Sequence, residues 1–350
     1  MTSPSFHIAG RRIGAEHPPY VIAEISANHN GSIEKARAIM TMARNRGADA
    51  VKLQTYTADT MTIESDRPDF CIEEGPWAGE MLYALYKRAE TPFEWHADLF
   101  EHGRELGITV FSTPFDETAV ELLEGLEAPA YKIASFEVVD LTLIGRVART
   151  GKPMIMSTGM ADLQEIQDAV ACARDNGCRE LALLHCVSGY PTPIKEANLR
   201  TLPDLSQRFG TVVGLSDHTA GVAAAVASVA LGASLIEKHV TLARADGGPD
   251  AAFSLEPDEL ERLCRDSTDA WQALGRIDYE RKDSEKPNQI FRRSIYAIRD
   301  IPAGGEIAAE DVRVIRPGYG LAPKYLRQLI GRSARQDIAR GTAISWELLE

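Results

Sequence analysis

The stretch VVGLSDHTAG, residues 212–221, runs from apolar Val212, Val213 and Leu215 into Ser216, Asp217, His218 and Thr219, and then into an Ala/Val-rich segment. SLIEKHV (234–240) repeats the plan, with Leu235 and Ile236 leading into Glu237, Lys238 and His239. Two neighbouring buried strands that each finish on a histidine would bring two neutral imidazoles together. That pairing suits one divalent metal, with Glu24 and Glu237 as acidic partners. Two more short apolar segments carry a lysine each, Lys52 in DAVKLQ and Lys132 in PAYKIA. Lysine is seldom buried without a counter-charge. Two of them, with several hydroxyls and the amides of Ser157-Thr158-Gly159 ahead of a helix, describe a pocket for a phosphate, a carboxylate, or both.

These residues need a scaffold that gathers strand ends. Short, mostly aliphatic or β-branched runs occur at 19–25, 49–54, 108–112, 129–134, 153–157, 180–186, 211–216 and 234–239, as expected of strands buried on both faces. Amphipathic segments separate them, such as SIEKARAIMTMARNRG (32–47) and DLQEIQDAVACARDNG (162–177), both ending on glycine, a helix stop. Eight such cycles in about 270 residues predict an α/β fold of the (β/α)8 barrel type, in which chemistry sits at the C-terminal strand ends. A doubly wound sheet is the alternative, but it has fewer strands and a glycine-rich first turn that this sequence lacks. The ends supply Glu24 with Ser26, Asn28, His29 and Asn30; Lys52 and Gln54; Ser112 and Thr113; Lys132 and Ser135; Ser157 and Thr158; His185, Ser188 and Tyr190; Ser216 and His218; Glu237 and His239. His185 either points into the barrel or bonds its neighbours, whereas His7, His17, His96 and His102 read as surface groups.

The insertion 56–91, after the second strand, is long enough to overhang the barrel mouth and cover a substrate. A barrel domain over 1–275, a charged linker over 276–290 containing Pro287, and a small β-rich module over 291–350 complete the expected organisation. A module that small often needs a partner surface. The net charge of −13 argues against nucleic acid and anionic membrane as partners. Five irregularly spaced cysteines make neither a disulfide framework nor a CxxC zinc site. The N-terminal MTSPSFHIAGRRIG lacks an apolar core, and no apolar run approaches the roughly 20 residues that span a bilayer. The sequence therefore predicts a cytoplasmic protein.

The motifs AEISANHNGS, DAVKLQTYTADTMT, STPFD, YKIASFE, STGMA, GLSDHT, EKHVTL and GGPDAAFSLEP, in this order, resemble the sialic acid synthase family of phosphoenolpyruvate-condensing enzymes. IRPGYGLAPKYL resembles that family's C-terminal antifreeze-like (SAF) domain. EISANHNG, QTYTADTMT, TPFEWH and AFSLEP are most similar to the pseudaminic branch; Ser188 and Gly189 stand where the sialic and legionaminic branches carry a bulkier polar contact, which fits a less hydroxylated sugar. The resemblance implies condensation of phosphoenolpyruvate with an open-chain amino sugar. Lys52, Lys132, Ser157 and Ser216 would bind the phosphate and carboxylate. Glu24, Gln54, Tyr190 and Glu237 would face the sugar or the attacking water, and Thr113, Ser135 and Ser188 would add polar contacts to substrate. His218 and His239 would hold a divalent metal, Mn2+ ahead of Mg2+ or Co2+. The family also implies a domain-swapped homodimer in which Arg316 reaches the partner's site. A metal-dependent pyruvate aldolase, which needs no phosphate pocket, is the contrasting chemistry.

Overall fold

Alternation along the chain sorts inward from outward side chains, and the computed structural model shows the result for residues 4–75 and 77–350. Met1 to Ser3, which open the N-terminal stretch, and Pro76 of the insertion lie outside the described residues. The chain divides into two units, Met1–Gly275 and Arg276–Glu350.

The first unit begins with a hairpin, Ser5–Ile8 (β1) and Arg11–Gly14 (β2), turning through Ala9 and Gly10 at φ 49° and 80°. Eight parallel strands follow among the described residues. They are Tyr20–Glu24 (β3), Ala50–Thr55 (β4), Thr109–Pro114 (β5), Tyr131–Ile133 (β6), Met154–Ser157 (β7), Leu181–Cys186 (β8), Val212–Ser216 (β9) and Leu235–His239 (β10). They close in sequence order, with β10 pairing both β9 and β3. The (β/α)8 expectation thus describes this unit. The expected helices run over Ile33–Asn45 and Leu163–Asp175, and Gly47 and Gly177 follow them at φ 93° and 97°, values that glycine adopts without strain.

The core has two layers. Outward strand residues meet the helices in one large cluster that includes Val21, Val51, Val110, Ile133, Leu183 and Ile236. Inside the barrel, Tyr20, Ile22, Ala50, Phe111, Ala130, Ile155, Ala182, Leu184, Val212 and Leu235 pack with Phe6, Ile8 and Ile13 of the hairpin. The hairpin therefore closes the N-terminal end of the barrel, a role that the alternation in FHI and RRI alone does not reveal. Gly214 has a steric reason to be glycine, since a Cβ there would stand 2.4 Å from the Leu235 carbonyl oxygen and 2.6 Å from Leu184 Cδ2.

The second unit starts with an irregular helical stretch, Asp283–Phe291, and then pairs Ser294–Ala297 (β11) with Val312–Ile315 (β12). Isolated bridges such as Ile301 to Ile338 and Ala334 to Leu349 complete it. Ile295, Ile301, Ile307, Val312, Leu329, Ile338 and Ile344 form its own core.

Candidate active site

Continuing the inward alternation by two residues changes the barrel lining from apolar to polar at one level. Ile22 is followed by Glu24, Ala50 by Lys52, Phe111 by Thr113, Ala130 by Lys132, Ile155 by Ser157, Leu184 by Cys186 and Leu235 by Glu237; β9 contributes Ser216, two beyond Gly214. Each of the eight strands supplies one member of this ring, and every member is buried.

The charges in the ring satisfy one another. Lys52 Nζ lies 2.7 Å from Glu24 Oε2 and 3.6 Å from Glu237 Oε1, and donates to Thr113 Oγ1 at 3.0 Å. Lys132 Nζ is 3.7 Å from Glu237 Oε1, which also accepts from Ser216 Oγ at 3.4 Å. Burial disfavours every charge here, and the partners decide the direction. Burial raises Glu24 to about 7 despite Lys52. It pushes Glu237 the same way, but Lys132, Lys52 and His218 together hold Glu237 below the usual carboxylate range. Burial lowers Lys132, whereas for Lys52 the two glutamates outweigh burial and raise it. The two lysines thus face one carboxylate held ionised and one raised toward neutrality, which biases the ring toward binding an anion.

One level higher stand Ser26, Gln54, Ala134, His218 and His239. Gln54 Nε2 donates to Glu24 Oε1 at 2.9 Å and to Ser26 Oγ at 3.0 Å, and Ser26 Oγ donates to Asp250 Oδ2. Tyr190 stacks beside the histidines, its ring 4.5 Å from that of His218 and 5.2 Å from Phe253. Ser135 Oγ accepts from the Gly159 amide at 3.1 Å, and a Cβ on Gly159 would meet Ser188 Oγ at 2.3 Å. Eleven of the residues named from the sequence, Glu24, Lys52, Gln54, Thr113, Lys132, Ser135, Ser157, Ser188, Tyr190, Ser216 and Glu237, thus meet with His218 and His239 at one barrel end. Arg316 stands in the second unit, exposed, directly after β12.

The histidine pair has the donor chemistry of an open metal site. Their ring centroids are 5.4 Å apart. His218 Nδ1 is 3.0 Å from the Val187 carbonyl oxygen, which turns the lone pair of a neutral ring to Nε2. His239 Nδ1 is buried without a hydrogen-bond partner, 4.0 Å from Asp250 Oδ2. Burial drives His239 well below its ordinary value, so it is neutral. Burial also lowers His218, but Cys186, the Val187 carbonyl and Glu237 raise it more. A metal would compete with protons for His218, so its affinity would fall as pH falls. Among the described residues no group of three His, Cys, Asp or Glu side chains is arranged to hold an ion. The chain offers two nitrogens, and substrate and water would complete the coordination.

A cavity of about 500 Å³ opens at this level, lined by Ser26, Gln54, Glu137, Tyr190, His239 and Asp250 on one side. The insertion borders it. Trp77 Nε1 donates to the Pro249 carbonyl at 3.1 Å, and its ring lies 5.8 Å from Tyr190. Lys52 and Lys132 lie one level deeper.

Several site residues escaped sequence reasoning. Cys186 completes the ring, and only counting alternate residues inward from Leu184 finds it. Glu137, raised to about 7 by burial against the pull of Lys132, follows the strand in a one-turn helix, with one oxygen buried and unpartnered. Asp250 arrives from a distant loop. Lys238 and Asp217 face away from the cavity and pair at 2.7 Å, their side chains each 1% exposed. His185 points outward, to the Ala197 carbonyl at 2.7 Å. His96, expected at the surface, is fully buried; its helix turns inward and the ring meets Thr55 Oγ1 at 2.8 Å and the Pro92 carbonyl at 3.1 Å.

A ring of this kind on a (β/α)8 barrel, in a chain that continues into a small second unit, defines a class. The chain belongs to the NeuB family, whose model matches residues 39–279, and an SAF domain model matches residues 292–350. It is 42% identical over 335 residues to the pseudaminic acid synthase of Helicobacter pylori, covering 95% of this chain and 98% of the relative. To the N,N'-diacetyllegionaminic acid synthase of Legionella pneumophila it is 35% identical, with 96% of both chains covered. The crystal structure of N-acetylneuraminic acid (sialic acid) synthetase from Leptospira borgpetersenii superposes with a TM-score of 0.73 at 30% identity, covering 82% of this chain and 95% of that one.

Proposed function

We infer that the chain is a transferase that condenses phosphoenolpyruvate with 2,4-diacetamido-2,4,6-trideoxy-L-altrose and water, giving pseudaminic acid and phosphate. The observation that carries this is the buried ring holding Lys52 and Lys132 beneath two histidines, in a chain more similar to a pseudaminic acid synthase than to a legionaminic one.

Lys52 and Lys132 hold the phosphate and carboxylate of phosphoenolpyruvate, with Ser157 and Ser216 as donors; Ser157 Oγ is buried without a partner, as a group reserved for substrate would be. Fixing the anion between two lysines orients its C3 toward the sugar aldehyde, a contribution of positioning as well as charge. His218 and His239 would hold a divalent ion, Mn2+ ahead of Mg2+ or Co2+, which when bound polarises the aldehyde carbonyl. C3 forms the new carbon–carbon bond, water adds at C2, and the C2–O bond breaks to release phosphate. Glu24, with a value near neutrality, accepts the proton of that water. Gln54 fixes Glu24, and Tyr190 walls the sugar beside the histidines. Thr113, Ser135 and Ser188 add hydroxyl contacts, and Glu237 keeps the two lysines apart and charged.

Arg316 acts in trans, from the SAF domain of the second subunit of a domain-swapped homodimer, on an acyl oxygen of the sugar. The divisions 1–275, 276–290 and 291–350 give that arm its linker. The charge of −13 disfavours nucleic acid and anionic membrane as partners, and no helix of the described residues is long and apolar enough to cross a membrane. We place the reaction in the cytoplasm.

The test is phosphate release from phosphoenolpyruvate against a panel of amino sugars. Release with the trideoxy-altrose sugar, above that with the legionaminic and N-acetylneuraminic precursors, is expected. Product formation from pyruvate without phosphate release would assign the site to an aldolase instead.

A further inference from the structure

The cavity has two walls of opposite chemistry. The wall with Gln54, Glu137 and His239 is polar and adjoins the ring. The other comes from the helix Leu82–Ala89, whose Leu82, Leu85, Tyr86 and Ala89 stand at i, i+3, i+4 and i+7 and all line the cavity. A stripe at this spacing ordinarily packs into a core. This one stands outside the main cores: Leu85 and Ala89 are 7% and 9% exposed, and neither belongs to a hydrophobic cluster among the described residues; the helix rests instead on Ala58–Met61 and Ser26–His29 while its stripe borders the cavity. Phe115 extends the apolar wall, joined through Tyr56, whose ring lies 5.2 Å from Phe115 and 6.0 Å from Tyr86. The stripe thus gives the cavity an apolar wall, and a ligand that fills the cavity meets it.

We propose that Leu82, Leu85 and Ala89 form the specificity surface that selects a 6-deoxy amino sugar, by receiving its C6 methyl. This rests on the reaction inferred above. The aldehyde carbon must stand at the histidine end, and in an open-chain hexose C6 is the carbon farthest from it. A methyl group there removes apolar surface from water on both sides. A hydroxyl there would leave water for side chains that neither donate nor accept a hydrogen bond. An apolar pocket rejects an added hydroxyl only moderately, by up to about 100-fold.

The experiment compares kcat/KM for 2,4-diacetamido-2,4,6-trideoxy-L-altrose and its 6-hydroxy counterpart, read by phosphate release at saturating phosphoenolpyruvate. The wild-type enzyme should prefer the deoxy sugar by roughly 10- to 100-fold. Leu85→Asn should bring the ratio toward one, chiefly by raising the KM of the deoxy sugar, with the KM for phosphoenolpyruvate unmoved. Leu82→Asn, at a half-buried position, repeats the test if circular dichroism shows Leu85→Asn unfolded. Equal use of both sugars by the wild type, or a ratio that survives substitution in a folded variant, overturns the assignment while leaving the reaction in place. Absence of phosphate release with every amino sugar removes the reaction, and this assignment with it.

Discussion

Glu24 and Glu237 share Lys52 and titrate in opposite directions, because Glu24 has that one cation beside it whereas Glu237 also has Lys132 and His218. This separates their roles: a group near 7 can take a proton, and one held low stays a counter-ion. If Glu24 is the base, kcat/KM should rise with pH through about 7 and Glu24→Gln should abolish that limb; a limb that persists in Glu24→Gln and vanishes in Glu137→Gln would move the role to Glu137, also near 7. The stability consequence has the opposite sign. The folded value lies above the ordinary 4.5, so the contribution of protonated Glu24 is complete below about 4.5 and is lost as pH rises through about 7. Glu24→Gln should flatten stability over that window in urea titrations. Lys132→Ala removes a charge-assisted contact to the anion and should raise the KM for phosphoenolpyruvate by about 10- to 100-fold, with a smaller change for the sugar. At the histidines, chelator-treated protein should regain phosphate release with Mn2+ better than with Mg2+. His218→Ala or His239→Ala should each lose Mn2+ binding measured by electron paramagnetic resonance, with the fold retained.

At the scale of elements, the ends of β9 and β10 are tied together behind the cavity. Lys238 Nζ bonds Asp217 Oδ2 and the Thr219 carbonyl, each at 2.7 Å, so the outward residues of Asp217-His218 and Lys238-His239 brace the strand ends that carry the histidines. Lys238→Met would leave a buried carboxylate uncompensated and should cost about 3–5 kcal/mol in chemical denaturation. The turn after β7 makes a contrasting case. A Cβ on Gly159 would stand 2.3 Å from Ser188 Oγ and 2.7 Å from Ser135 Oγ, the two hydroxyls assigned above to substrate contacts. Gly159→Ala should therefore depress phosphate release strongly while thermal unfolding stays near that of the wild type. A large fall in Tm with activity intact would place the glycine in folding alone.

At the scale of the whole molecule, the barrel unit carries every ring residue, and the second unit, with its own small core, carries the exposed Arg316. Truncation near residue 285 should leave the barrel folded and abolish sugar use. The trans assignment has a sharper test in mixed dimers of His218→Ala and Arg316→Ala chains. After verified subunit exchange, one of the two sites combines an intact His218 with an intact Arg316, so up to about half the wild-type activity per mixed dimer should return. No recovery would mean that the arm serves its own barrel or takes no part in the reaction.

Strand rhythm, the polar strand ends and the histidine pair were legible from order alone, because a strand buried on both faces needs a continuous apolar run and any break in it is conspicuous. The family was legible for the same reason, its motifs being those breaks taken in order. Facing was not legible in apolar runs: His185 and Cys186 are adjacent, and only closure of the barrel turns the thiol inward and the imidazole out to Ala197. Nor could local sequence place Asp250 beside Ser26, 224 residues away, or bury His96 against Thr55. The charge states of Glu24 and Glu237 are tertiary too. Both are glutamates at strand ends, and only the count of lysines within reach, once eight strands have closed, sends one up and the other down.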